Sequence, residues 1–110
     1  MSAPVIDFSV VDDIRGIKGE DADVYAELLG IFTRDAPLRL ASIRALVELE
    51  ARGREAHRLR GSSATMGFAA LAEACAALED ACDAGSADVA PLVASVVAAY
   101  DAVVVAIRSL

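Results

Sequence analysis

Histidine occurs once in the 110-residue chain, cysteine twice and tryptophan not at all. One histidine and two cysteines make a poor ligand set, so no metal site is expected. The two thiols, Cys75 and Cys82, are seven positions apart in a segment that reads as helix, about 10 Å along its axis. That is too far for an intrachain disulfide. Both fall on the apolar side of the segment, where a free cysteine behaves as a small hydrophobe. Positive charge is also scarce. Ten Lys and Arg against 17 Asp and Glu leave a formal net charge of -7, and a nucleic-acid partner, which demands a basic face, is not expected. Charge interrupts every long apolar run before the roughly 20 residues that a membrane crossing takes. The opening "MSAPVIDFSVVDD" has no basic stretch followed by an apolar one, so it does not read as a signal peptide, and a cytoplasmic protein with no membrane contact is expected. At 110 residues the chain supplies one core and one domain, 1–110, with no room for an ATP-binding catalytic domain besides.

What is present is helical spacing. No β-rich run bounded by hairpin signals occurs, so an all-α fold is expected. Val89, Val93, Val96, Tyr100, Val103, Ile107 and Leu110 form one stripe of a long last helix, with Ser86 or Asp88 as its cap and Pro91 in its first turn. Leu71, Cys75, Leu78 and Cys82 form the inner face of the helix before it. Gly67 separates that helix from one carrying Ala56, Leu59, Ser63 and Met66 inward. Upstream, Val24, Leu28, Ile31 and Phe32, then Leu40, Ile43 and Leu46 or Val47, are expected to face the core. Asp35-Ala36-Pro37 marks either a fresh N-cap or a kink in one long helix. Phe8, Val10, Val11, Ile14 and Ile17 suggest a short helix closing one end. The sum is an antiparallel four-helix bundle with a short extra N-terminal helix.

The single imidazole lies in "REAHRLRGSSATMG". Ala56 and Leu59 face inward, so His57 stands off the core stripe and in water. Arg52, Arg54, Arg58 and Arg60 crowd around it in an otherwise acidic chain. Its helix-surface neighbours are Arg54, Arg60 and Gly61. A mid-helix glycine costs about 1 kcal/mol relative to alanine, and this chain uses alanine freely. Access of another molecule to the ring is the simplest compensation. If the chain reverses near Gly67, His57 comes level with Leu78 and Glu79 on the antiparallel partner. A carboxylate there, accepting a hydrogen bond from one ring nitrogen, would fix the tautomer and leave the other nitrogen nucleophilic. Arg60, and with it Arg54 or Arg58, would offset the charge of a phosphoryl group on that nitrogen. The plainer reading is a solvated histidine amid surface arginines and glutamates, with Ser62 and Ser63 relieving packing at a helix crossing. It leaves Gly61 unexplained.

The stretch "AHRLRGSSATMGFAALAEACAALE", Ala56 to Glu79, resembles the signature of the histidine-containing phosphotransfer (HPt) family, and "DVYAELLGIFTRDAPLRL" resembles more loosely the family's preceding helix. The resemblance implies that His57 accepts the phosphoryl group, that Arg60 replaces the commoner lysine, that Gly61 gives access and that Glu79 hydrogen-bonds the imidazole. It implies a monomeric phosphorelay intermediate in two-component signalling: His57 takes a phosphoryl group from one response-regulator receiver aspartate and passes it to another, in a system fed by a cognate hybrid histidine kinase. No cofactor is expected on this chain, and the Mg²⁺ of phosphoryl transfer is expected from the receiver. No autonomous kinase activity is expected. Two alternatives are a phosphorylated module of a larger hybrid or chemotaxis-type kinase and a non-catalytic helical adaptor. The connector "ELEARGRE" is shorter than the family usually has. Either the helix of His57 starts only about one turn before it, or residues of a loop are absent from the sequence.

Overall fold

Asp23 opens the first long helix, its carboxylate accepting the Ala26 N–H at 2.9 Å, the bond by which an N-cap satisfies a donor of the first turn. In the computed structural model, which describes residues 3–17 and 23–110, five helices follow one another: α1 (Phe8–Ile17), α2 (Val24–Ala45), α3 (Leu49–Met66), α4 (Ala69–Asp83) and α5 (Ala90–Ile107). α3 packs on both α2 and α4, α5 closes the bundle against α4 and α2, and α1 lies across α2 and α3. The all-α, four-helix bundle with an extra N-terminal helix is therefore the observed architecture.

Pro37 lies inside α2 without ending it, which decides between the two readings of Asp35-Ala36-Pro37. α2 turns Tyr25, Phe32, Ala36, Leu40 and Ile43 into the core. Ile31, an expected core position, is 54% exposed, and of the alternatives Leu46 and Val47 the first is half-buried and the second 87% exposed. Val47 falls beyond the end of α2, in the connector, where no helical face exists for it to share. Phe8 likewise stands largely in water while Val11 of the same helix is fully buried. Ile17 is named in the same expected stripe; its side chain lies outside the described residues.

The connector 46–48 is short because α3 begins at Leu49, more than two turns before His57. "ELEARGRE" is thus mostly helix, which corrects the expectation of a helix starting about one turn before the histidine. Arg52 is turned away from His57: its Nε donates to the Ile43 carbonyl at 2.8 Å and satisfies one of the acceptors that a helix C-terminus leaves free. The stripes read for α3 and α4 are buried as expected, with Ala56, Leu59, Ser63 and Met66 facing Leu71, Cys75, Leu78 and Cys82 in one core. In α5, Val96 and Val103 are buried, with Val93, Tyr100, Ile107 and Leu110 packed around them. Asp88 Oδ1 accepts the Ala90 N–H at 3.0 Å. Asp101 is the one charge within Ala90–Ile107, and α5 is long and apolar enough by length and composition to cross a membrane. Only 11% of Ala90–Ile107 is buried within the bundle.

Candidate functional site

The reversal between α3 and α4 sets the site. Gly67 takes φ 83°, a left-handed conformation that favours glycine. The N–H groups of Gly67 and Phe68 close back on the carbonyls of Ala64 and Ser63. Phe68 is buried with its ring 4.9 Å from that of Phe32, edge to face. From this tight turn the two helices run back side by side, and His57 on α3 meets Glu79 on α4.

His57 Nδ1 lies 2.8 Å from Glu79 Oε2, and Arg60 Nη1 donates to Glu79 Oε1 at 2.7 Å. One carboxylate thus engages both groups. The His57 side chain is 63% exposed and that of Glu79 only 16%, so the carboxylate is shielded while the ring is presented. A neutral imidazole that donates from Nδ1 carries its proton there and keeps a lone pair on Nε2. Nε2 has no hydrogen-bond partner among the described residues. Exposure, a fixed proton and a free lone pair are what a nucleophilic nitrogen requires.

The remaining residues singled out in the sequence divide. Arg60 is bound to Glu79 instead of standing free beside the ring. Arg54 pairs with Glu50 at 3.2 Å, and Arg58 pairs with Glu55 at 3.2 Å, which also receives Arg39 from α2. Neither Arg54 nor Arg58 bonds the imidazole, though both are exposed on the same helix. A Cβ placed on Gly61 would meet nothing within 4 Å. No packing demand therefore keeps position 61 free of a side chain.

Gly53, which sequence reading passed over, is the packing glycine. It is buried, and a Cβ there would come 3.1 Å from Cys82 Cβ, so α3 and α4 approach closely one turn above His57. The signal available was its position, four before the histidine and in step with the inward Ala56. An open cleft beside the ring is lined by Glu50, Gly53, Arg54, Arg58, Glu79 and Asp83. On the other side, an apolar groove between α2 and α3 is lined by Leu28, Ile31, Phe32, Ser62, Thr65 and Met66. Cys75, beneath the site, is buried, and its thiol is pushed up to about 12 by desolvation, with Arg60 and Glu79 exerting smaller opposing effects. It is a protonated core group.

A family model described as Hpt domain matches residues 27–106, a span that contains His57, Arg60, Gly61 and Glu79. No curated protein and no solved structure matches the chain.

Proposed function

Because the chain belongs to the Hpt domain family, whose role is histidine phosphotransfer in phosphorelay, we propose that His57 is the phosphoryl carrier and that receiver-domain aspartates are its donor and acceptor. The observation that carries this is the bond from Nδ1 to Glu79 under an exposed ring. In the forward step Nε2 attacks the phosphorus of an aspartyl phosphate. The N–P bond forms, the P–O bond to the carboxyl oxygen breaks, and the donor aspartate leaves as a carboxylate. The Nδ1 proton stays in place, so the phosphorylated ring is cationic and Glu79 faces that charge. The return to a second aspartate reverses each change.

The chain's contribution is orientation. Transfer between aspartate and imidazole is mainly positioning and charge stabilisation, and the divalent cation that shields the phosphoryl oxygens comes with the receiver in this scheme. The mainly apolar groove lined by exposed Ile31, with Asp35 also in its lining, favours a protein partner over a free metabolite, since exposed apolar patches mark protein contacts. His57, Arg60 and Glu79 all come from one chain, so a monomer suffices. The reading places the protein in the cytoplasm with its receivers and kinase.

Incubation with a receiver charged by acetyl phosphate tests the proposal. Acid-labile, alkali-stable label should appear on this chain, and EDTA should stop the transfer without altering the melting temperature. Absence of label with a panel of charged receivers would overturn it.

A further inference from the structure

The α3–α4 reversal is held from outside the hairpin. The Ala70 N–H, one of the donors that the first turn of a helix leaves unpaired, bonds the Pro4 carbonyl at 2.8 Å, and the Asp7 N–H bonds the Gly67 carbonyl at 2.6 Å. The Tyr25 hydroxyl donates to the Met66 carbonyl at 3.1 Å. α4 has no side-chain cap of its own. Ile6 and Val11 anchor this strap in the core. Gly67 makes room for it, since a Cβ there would come 2.9 Å from the Asp7 carbonyl oxygen. Pro4, Asp7 and Tyr25 all precede residue 27, where the family match begins.

The strap acts on the site through two rigid arms. His57 is ten residues before Gly67 and Glu79 twelve after it, about 15 and 18 Å along the helix axes. A slip of α4 along α3 by one residue's rise, about 1.5 Å, would stretch the 2.8 Å Nδ1 contact to at least the upper end of hydrogen-bond length and tilt it off line. Between the turn and the site the helices meet through Leu59, Met66, Leu71, Cys75 and Leu78, and the buried Ser63 hydroxyl has no partner. Apolar contact is non-directional; between the turn and the Arg60–Glu79 bond it holds the helices together without adding a polar lock on their axial position.

We infer that Pro4–Asp7, together with Tyr25, positions the phosphoryl-accepting imidazole by pinning the α3–α4 reversal at the register where Glu79 meets Nδ1. The inference rests on the reading of His57 given above, and its test does not require phosphorylation. In the full chain, Ile6→Asp puts a charge where the strap is anchored; Ile6→Ala is the milder form should the first not fold, and Tyr25→Phe removes the bond to Met66. Amide exchange at Ala70 reports strap release, and ¹⁵N shifts of the His57 ring report its tautomer. With helix content retained, Ala70 should exchange faster, the ring should lose its preference for the Nδ1–H form, and transfer should slow by about two- to tenfold, the range of one net hydrogen bond. Glu79→Gln should slow transfer and leave Ala70 protected. Faster Ala70 exchange with an unchanged ring tautomer would overturn the inference, as would an Ala70 amide still protected in Ile6→Asp. A tautomer change in a protein that never takes label would uphold the register role and sink the phosphotransfer reading instead.

Discussion

Gly53 and Gly61 stand on the same helix under opposite constraints: a Cβ at Gly53 would press on Cys82 Cβ at 3.1 Å, whereas one at Gly61 would meet nothing within 4 Å. Composition cannot separate two such glycines. Their variants can. Gly61→Ala should stabilise the fold by about 0.5–1 kcal/mol, the difference in helix propensity, and slow transfer; Gly61→Gln should slow it more. Gly53→Val should destabilise by about 1–3 kcal/mol through overpacking. Melting temperature and initial transfer rate measure both, and unhindered transfer in Gly61→Gln would remove the access role.

His57→Gln should take no phosphoryl label and melt within about 0.5 kcal/mol of wild type, as substitutions outside the core do. Circular dichroism and labelling on the same sample decide this. Residual label would place the acceptor elsewhere.

Glu79→Ala should slow transfer by about tenfold, the lower end for a hydrogen bond to a charged group, because this carboxylate is partly in water. Arg60→Ala should cost less. If Arg60 acts through Glu79, the double variant should be no slower than Glu79→Ala alone. An additive loss would show that Arg60 touches the phosphoryl group directly.

Alkaline stability follows from the buried thiol. Cys75 is raised from 9.0 to about 12 in the folded chain, so between these values the unfolded chain gives up a proton that the folded one keeps. The unfolded state then binds fewer protons, and stability falls as pH rises through this window. Burial moves Cys82, Tyr25 and Tyr100 in the same direction. The melting temperature should therefore drop steadily above pH 9, less steeply in Cys75→Ala. A flat profile would contradict the burial.

The α3–α5 part of the fold is legible because each helix turns one regular stripe inward, and counting from Gly67 brings Leu78 and Glu79 level with His57. α2 was less legible. It is long, and its buried set runs Tyr25, Phe32, Ala36, Leu40, Ile43, where small Ala36 counts for more than larger Ile31. Side-chain size says little about which flank of a helix a neighbour covers. The pairing of Arg60 with Glu79 was hidden for another reason. Four arginines near one histidine look alike in sequence, and the partner of each depends on which helix its flank meets: Arg52 finds a carbonyl of α2, Arg54 and Arg58 find glutamates of α3, and only Arg60 reaches α4. The strap was missed because its bonds come from backbone groups, which every residue carries.

His57 lies well inside α3, eight residues after its start and nine before its end, so the peptide N–H groups around it are spent on the helix's own ladder. Tight phosphate sites often use the open N–H groups and positive end of a helix N-terminus; the middle of a helix offers neither. A phosphoryl group on Nε2 would find no backbone donor here, and the Arg60 guanidinium already holds Glu79. The covalent N–P bond would be almost the only attachment, with little of its free energy offset by binding. Cargo held so loosely would retain a high transfer potential, and on the proposed reading one histidine would surrender it as readily as it receives it.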